Sequence, residues 1–239
     1  MDAVALWELP TNDDRLAGAV ELSGKRVVDV GCGAGGLVRF LRDQGADPVG
    51  VECGEAMISQ ARNADPEHGD SYLDGVGQDL PIDDASVDMV VFSYSLHHVP
   101  VEEMGNALAE VVRVLKPGGE LVVLEPIASG PSFEMIKPVD DETEVRAYAQ
   151  EALDARPESL TETHTERYQS AYRFTDFGEL KRNVVDIDPT RKAAFESTGE
   201  EVERRFNTYG VKGPSGTWFE GAVLMRIFTN EKQPTIPGR

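Results

Sequence analysis

The segment Val27 to Gly36, with the sequence VVDVGCGAGG, constrains the fold of this chain more than any other stretch. Its first residues are β-prone and apolar, and a run of glycines interrupted by Cys32 and Ala34 follows, which predicts a buried strand that turns sharply into a helix. Glycine tolerates positive φ and lets a ligand approach the backbone closely. The helix expected over residues 37–44 would offer its unpaired N–H groups to a ligand at that turn. Strand, turn and helix together predict a nucleotide-cofactor site.

Two cofactor families fit this turn. Gly31, Gly33 and Gly36 satisfy the G-x-G-x-x-G pattern of the NAD-binding fold, and Glu52 follows about 20 residues on, where that fold places the acid that binds the ribose. Asp29 precedes the first glycine at the expected end of the strand, and a fixed negative charge there favours a cation and opposes a pyrophosphate. S-adenosylmethionine carries a sulfonium and an amino group and no phosphate. In its apolar setting and its GCGAG sequence, the segment resembles the first motif of the class I S-adenosylmethionine-dependent methyltransferases.

The charge of the chain excludes several classes of partner. It carries 43 acidic and 23 basic residues among 239, a formal net charge of −20, whereas nucleic acids and anionic membranes are bound through basic patches. We therefore expect a small-molecule substrate and neither a nucleic-acid nor a membrane partner. An acidic excess this large also repels itself unless salt screens it. Adaptation to high salt and an ordinary acidic protein are both consistent with this composition.

Other bulk properties predict a cytoplasmic protein with one large domain. No apolar run approaches the roughly 18 residues needed to cross a bilayer, and no basic, apolar leader opens the chain. Cys32 and Cys53 lack metal-ligand spacing and are too few for a disulfide framework, so we expect reduced thiols and no metal site. The length allows one sizeable α/β domain with an insertion, and no feature specifies an oligomeric state.

Two later segments strengthen the resemblance. Residues 75–100, GVGQDLPIDDASVDMVVFSYSLHHVP, are similar to the acidic turn, Leu-Pro pair and buried strand of the family, and residues 115–123, LKPGGELVV, are similar to its next helix-to-strand junction. The three motifs together cover residues 25–126. The second one departs from the family at Val76, where an aspartate is usual. Gln78, Asp79 and backbone carbonyls are therefore all candidates to bind the adenine amino group.

The resemblance implies a set of site residues. Glu52 would accept hydrogen bonds from the ribose hydroxyls, and Met57 would lie near the adenine, although a plain core position is the alternative for this methionine. The residues expected to bind the cofactor are Asp29, Gly31, Cys32, Gly33, Gly35, Glu52, Cys53, Met57, Gly77, Gln78, Asp79 and Ser93. His97 and His98, at the lip of the expected pocket, are the candidates for a general base, and Tyr94 is the candidate to orient the acceptor. The alternative for both histidines is that they only shape the pocket.

The pattern along the whole chain predicts the fold class. We expect an α/β, Rossmann-like doubly wound sheet of about seven strands, mostly parallel with an antiparallel last strand, and a helical cap insertion. Strands are predicted near 27–30, 48–52, 71–76, 87–93, 120–125, 167–174 and 217–228. The expected segments are an N-terminal helical segment (1–24), the cofactor-binding core (25–126), a helical cap for the substrate (127–165), C-terminal strands and helices that complete the sheet (166–229) and a flexible tail (230–239).

The activity implied by the resemblance is in-line transfer of a methyl group from S-adenosyl-L-methionine to a small molecule, which leaves S-adenosyl-L-homocysteine. The acceptor atom, O, N, S or C, stays open. An NAD-dependent oxidoreductase is the alternative, disfavoured by Asp29 and by the absence of a Tyr-x-x-x-Lys pair. A protein that binds S-adenosylmethionine without catalysis is a third interpretation, which Val76 and the atypical cap keep open.

Overall fold

The fold is built from strands that alternate with helices along most of the chain. A computed structural model describes residues 4–187 and 189–231. Its strands are β1 (Arg26–Val30), β2 (Asp47–Glu52), β3 (Tyr72–Asp74), β4 (Val87–Ser93), β5 (Leu115–Pro126), β6 (Leu160–Phe174), β7 (Val211–Gly213) and β8 (Gly216–Asn230). Its α-helices are α1 (Asn12–Ala19), α2 (Gly36–Asp43), α3 (Glu55–Ala64), α4 (Met104–Val114), α5 (Pro131–Ile136), α6 (Thr143–Asp154), α7 (Phe177–Ile187) and α8 (Arg191–Tyr209).

The strands form one sheet in the order β3-β2-β1-β4-β5-β8-β6, and the short β7 pairs with β8. β1 is parallel to both β2 and β4, and β5 is parallel to β4, whereas β7 and β8 are antiparallel. The predicted fold class, a mostly parallel doubly wound sheet with an antiparallel last strand, is confirmed. The direction of strand order reverses between β1 and β4, and sheets of this kind bind ligands at such a reversal.

The chain divides into two compact units. The first, called the core unit here, contains residues 13–125 and 147–166 and the chain from Leu224 onward. Its core is formed by the apolar residues of β1, β2, β4 and β5 with those of α4 and α6. Met104, Leu108 and Val111 are spaced for one face of α4, and all three are buried. These strands, as expected for a parallel sheet covered on both faces, are almost continuously apolar.

The other unit, called the second unit here, contains the chain up to Asn12 with residues 126–146 and 167–223. Aromatic side chains of α7, α8 and β8, including Phe177, Phe206 and Phe219, form its core. Gly221 lies inside β8, and a Cβ there would come within 2.5 Å of the Tyr172 ring. The strand and the Tyr172 ring therefore pack closely at this glycine.

Several boundaries differ from the predictions. β6 begins at Leu160, so residues 160–165 are strand and not part of a helical insertion; the threonines that alternate through this stretch favour an extended edge strand. β7 is an additional strand. β3 ends at Asp74, because Val76 instead forms an isolated bridge to Asp79. The pair Asp188-Pro189 is typical of a helix start, but Asp188 lies outside the described residues, as does the tail beyond residue 231. Within the described ranges, no helix has both the length and the apolarity to span a bilayer.

Candidate functional site

The candidate site lies where four parallel strands of the core unit end. Register pairs Val30 of β1 with Val51 of β2, and Ser93 of β4 with Leu124 of β5. The residues that follow these strands therefore meet at one edge of the sheet, beside the reversal between β1 and β4. This edge is where open α/β sheets bind their ligands.

The glycine turn, residues 31–36, connects β1 to α2 and has almost no side chains. Gly31 and Cys32 donate their N–H groups to the carbonyl of Val51, over 2.8 and 3.1 Å, so the turn is bonded to β2. Gly31 and Gly35 have φ of +74° and +75°, which favours glycine at both positions. The space beside Gly33 is open, since, apart from its neighbours in sequence, no atom of the described residues lies within 4 Å of where its Cβ would be. The turn thus forms a cradle with open space beside Gly33.

Glu52 closes one side of this cradle. Its Oε2 accepts a hydrogen bond from Gly33 N–H over 2.9 Å, and its Oε1 accepts one from Gly54 N–H over 2.7 Å. A Cβ on Gly54 would lie 3.7 Å from the Cβ of Met57, which is partly buried. Gly33 and Glu52, two of the residues predicted to bind the cofactor, are thus in direct contact, and Met57 of α3 lies beside Gly54. Cys53 is exposed over most of its surface, and its partial burial, followed by the charge of Glu52, raises the pKa of its thiol.

Asp29 is buried at the end of β1 and gives the site its electrostatic character. Burial, followed by the negative charges of Asp13 and Glu52, raises the pKa of its carboxyl to about 8. Cys32 is buried beside these acids, and burial followed by the charges of Asp29 and Glu52 raises the pKa of its thiol, so the thiol stays neutral and unreactive. A site with three acids suits a cation and disfavours a phosphate.

The turn after β3 carries the next predicted residues. Val76 and Asp79 pair across it and both side chains are exposed, whereas Gln78 is partly buried. Gly77 is buried, and a Cβ there would lie 3.4 Å from Val30 at the end of β1. Gly77, Gln78 and Asp79 are the residues predicted to bind the cofactor here. Of these, Gly77 packs against the end of β1, and Gln78 and Asp79 lie next to it on the turn.

The turn after β4, residues 94–98, is held by buried hydrogen bonds. Ser93 is the last residue of β4 and is partly buried. Tyr94 has a φ of +60°, which is unusual for a bulky side chain, and its N–H donates to the carbonyl of Leu124 over 2.8 Å. His97 is only 4% exposed and its Nδ1 is hydrogen-bonded to Oε2 of Glu125, which is also buried. The expectation that both histidines lie at the lip is therefore wrong for His97, because its bond to Glu125 draws it into the interior.

His98 is exposed, and its ring centroid lies 4.1 Å from that of His97. In the second unit, Trp7 packs on Trp218, with ring centroids 6.4 Å apart. Tyr168 of the same unit is buried, and its hydroxyl donates to the side-chain oxygen of Asn12 over 3.1 Å.

Sequence reasoning missed two residues of this site, Ser95 and Glu125. Ser95 is buried, and its hydroxyl donates to the carbonyl of Val30 over 2.5 Å. Nothing in the sequence distinguishes this serine from a surface one. Glu125 had a usable signal, because it is a charged residue at the end of the otherwise apolar run LVVLE, where parallel strands place functional groups.

Comparisons with known proteins bear on this geometry. A family model described as a methyltransferase domain matches residues 28–123, which contain the glycine turn, Glu52 and the turn after β4. A demethylmenaquinone methyltransferase of Beutenbergia cavernae is 28% identical over 189 residues, which are 73% of this chain and 77% of that protein. The protein of the same name from Renibacterium salmoninarum is 32% identical over 164 residues, or 69% of this chain and 66% of that one.

Solved structures share the fold. The YcgJ protein of Bacillus subtilis superposes with a TM-score of 0.58 at 18% identity, covering 92% of this chain and 97% of that one. An S-adenosylmethionine-dependent methyltransferase of Mesorhizobium loti superposes with a TM-score of 0.50 at 20% identity, covering 87% of this chain and 94% of that one. The sheet order and the glycine turn described above thus belong to a fold that occurs in methyltransferases.

Proposed function

Because the chain belongs to the class I S-adenosylmethionine-dependent methyltransferases, we propose that it transfers the methyl group of S-adenosylmethionine to a small-molecule acceptor. The observation that carries the choice of cofactor is the pair of acids at the ends of β1 and β2. Asp29 is buried and Glu52 is fixed by two backbone N–H groups, one of them in the glycine turn.

The side chains present fit this cofactor. Each carboxylate oxygen of Glu52 keeps a further lone pair, so the group can accept hydrogen bonds from both ribose hydroxyls. The buried carboxyl of Asp29 suits the amino group of the methionine part of the cofactor. The open space beside Gly33 leaves room for the cofactor to pass close to the main chain. A pyrophosphate would instead meet the charges of Asp13 and Glu52 and would disfavour ionisation of Asp29 still further, which argues against the NAD-dependent alternative.

When bound, S-adenosylmethionine supplies an electrophilic methyl group on a sulfonium. The protein then has to hold the acceptor in line, and bringing two reactants to about 3 to 3.5 Å can supply roughly 7 to 11 kcal/mol of the barrier. The turn 94–98 after β4 is the element that we assign to the acceptor, with Tyr94 orienting it. A base is required only for an acceptor that loses a proton, and His97 and His98 are the groups that we propose for that step.

The acceptor is proposed to be neutral or cationic, because the chain is strongly acidic. Two relatives are named for methylation of demethylmenaquinone, which makes a quinol with a short side chain a reasonable first member of an acceptor panel. We also expect a protein that works in the cytoplasm and needs no nucleic-acid or membrane partner. The residues 127–159 remain our proposal for the segment that selects the acceptor.

Calorimetric titration with S-adenosylhomocysteine and, separately, with NADH tests the choice of cofactor. We expect micromolar binding of S-adenosylhomocysteine that weakens at least tenfold in Asp29→Ala and is unchanged in Asp43→Ala, which removes an exposed acid of α2. Binding of NADH alone would overturn the proposal. Transfer of a labelled methyl group to any member of the panel would then separate an enzyme from a protein that only binds the cofactor.

A further inference from the structure

The turn 94–98 is bonded to the strands on both of its sides. Toward β1, the Ser95 hydroxyl donates to the carbonyl of Val30 over 2.5 Å. Toward β5, the N–H of Leu96 donates to Oε1 of Glu125 over 3.0 Å, and Oε2 of Glu125 is hydrogen-bonded to His97. Ser95 and Glu125 are 8% and 1% exposed, so both polar groups are buried. Such groups are costly to bury unless they are hydrogen-bonded, and here both are.

Ser95 also touches the glycine turn. A Cβ on Gly31 would lie 2.6 Å from the Cβ of Ser95, so the two turns are in direct contact at this point. Val30, whose carbonyl Ser95 binds, immediately precedes Gly31 in the chain. Ser95 therefore holds the turn 94–98, which we assign to the acceptor, at a fixed distance from the glycine turn, which we assign to the cofactor.

The bonds on both sides also hold an unfavourable backbone. The positive φ of Tyr94 is unfavourable for a bulky side chain and persists only where surrounding contacts impose it. The three residues after Tyr94 are all held by hydrogen bonds: Ser95 by Val30, and Leu96 and His97 by Glu125. These bonds impose the conformation of Tyr94.

On the premise of the proposed methyl transfer, we propose that Ser95 and Glu125 are positioning residues, which fix the turn 94–98 against the glycine turn and so set the distance between methyl donor and acceptor. Displacement of a reactant by 1 Å can lower the rate about 100-fold. Loss of either anchor therefore lowers kcat while the cofactor still binds through Glu52 and Asp29.

The kinetic test compares graded variants with the panel member that the wild-type protein methylates. Ser95→Ala is expected to lower kcat by about 10- to 100-fold and to change the KM for S-adenosylmethionine less than about threefold. Glu125→Gln retains a side-chain oxygen for Leu96 N–H, so it should keep more activity than Glu125→Ala. Ser86→Ala is the matched control, because the Ser86 hydroxyl also donates to a backbone carbonyl, that of Asp83 over 2.7 Å, in an exposed loop.

A second measurement needs no acceptor. Hydrogen exchange is followed in peptides covering residues 27–36 and 92–99, with S-adenosylhomocysteine as the probe. In the wild-type protein, the ligand should slow exchange in both peptides. In Ser95→Ala, it should slow exchange in the first peptide only, whereas Ser86→Ala should match the wild type. Thermal unfolding of each variant, with assays run well below its Tm, confines the comparison to folded protein.

The possible outcomes separate the two proposals. If the wild-type protein does not bind S-adenosylhomocysteine, the proposed function fails, and the positioning role fails with it. If the ligand binds the wild type, but it protects residues 92–99 of Ser95→Ala as fully as in the wild type, only the positioning role is overturned. Unchanged kcat in Ser95→Ala and Glu125→Ala would also overturn it alone.

Discussion

The backbone N–H of Gly33 donates to Oε2 of Glu52 over 2.9 Å, which joins the glycine turn after β1 to the acid at the end of β2. The other oxygen of this carboxylate accepts the N–H of Gly54 over 2.7 Å. Glu52 is thereby oriented by the protein itself, without any contribution from a ligand. A carboxylate oriented in this way loses little side-chain entropy when it binds a ribose.

Replacing Glu52 should therefore weaken cofactor binding in two graded steps. In Glu52→Gln one of the two N–H groups meets an amide that cannot accept its hydrogen bond, and we expect the Kd for S-adenosylhomocysteine to rise about tenfold. In Glu52→Ala both bonds and the ribose contact are lost, and a rise of about 100-fold is expected. Calorimetry measures both. Glu55→Gln, which changes an exposed glutamate three residues on, should leave the Kd unchanged, and equal Kd values for Glu52→Ala and wild type would contradict the assignment.

Binding should also depend on pH through Asp29. The pKa of its carboxyl is about 8 in the structure, because of burial and of the neighbouring acids, so the group is mostly protonated at pH 6 to 7. A cationic amino group binds the ionised form, so the ligand must displace a proton. Affinity for S-adenosylhomocysteine should rise by up to about tenfold per pH unit between pH 6 and 8. Calorimetry in buffers of different ionisation enthalpy should show proton release, and Asp29→Asn should show neither effect.

The same raised pKa predicts the stability of the free protein. Between about pH 4, where the unfolded aspartate titrates, and pH 8, the folded state binds more protons than the unfolded state. Stability contributed by Asp29 is therefore present at low pH and lost as the pH rises toward 8. Asp29→Asn should accordingly have a higher Tm than wild type at pH 8 while it binds the ligand more weakly. A lower Tm for this variant at pH 8 would show that the carboxylate is stabilised by the fold.

The strands and crossover helix of the core unit could be predicted because they depend on local patterns. The apolar runs of β1 and β4, and the helical spacing of Met104, Leu108 and Val111, are set by burial against one core. The start of β6 could not be predicted in the same way. Its first residues form a polar edge strand, in which alternating threonines alone signal extended structure, and acidic residues between them are equally compatible with a helix.

The residues of the candidate site could be predicted where their positions depend on a single strand and the turn after it. Asp29 and Glu52 were identified from their places at strand ends, and both lie at the predicted edge of the sheet. Burial of His97 was not predictable, since it depends on Glu125, 28 residues away in sequence. Ser95 was missed for the same reason, because its partner Val30 is 65 residues away. Contacts between strand ends are set by the order of the sheet and not by any local pattern.

The acidic excess predicts a dependence of stability on salt. A net charge of −20 on 239 residues disfavours the compact state through repulsion, and salt screens charges separated by more than about 8 Å at 0.15 M ionic strength. The Tm of the protein should therefore rise between 0.1 M and 2 M potassium chloride. Differential scanning calorimetry measures it, and sucrose at matched water activity controls for general exclusion. A Tm that is constant or falls with salt would exclude adaptation to high salt.

Gly35 and the neighbouring Gly36 should respond oppositely to the same substitution. Gly35 has a φ of +75°, and a Cβ there would lie 2.6 Å from Cε1 of Tyr72. The ring cannot give way, because Tyr72 is buried and its hydroxyl donates to Asp65 over 3.0 Å. Strained backbone and overpacking together should lower the free energy of unfolding of Gly35→Ala by about 2–4 kcal/mol, measured with urea. Gly36 begins α2, and outside its own helix and its neighbours in sequence no atom of the described residues lies within 4 Å of its Cβ position. Gly36→Ala should therefore be neutral or stabilising by up to about 1 kcal/mol. An equal decrease in the free energy of unfolding of both variants would contradict this explanation, because it would show that any added methyl group destabilises the turn, with or without a contact to Tyr72.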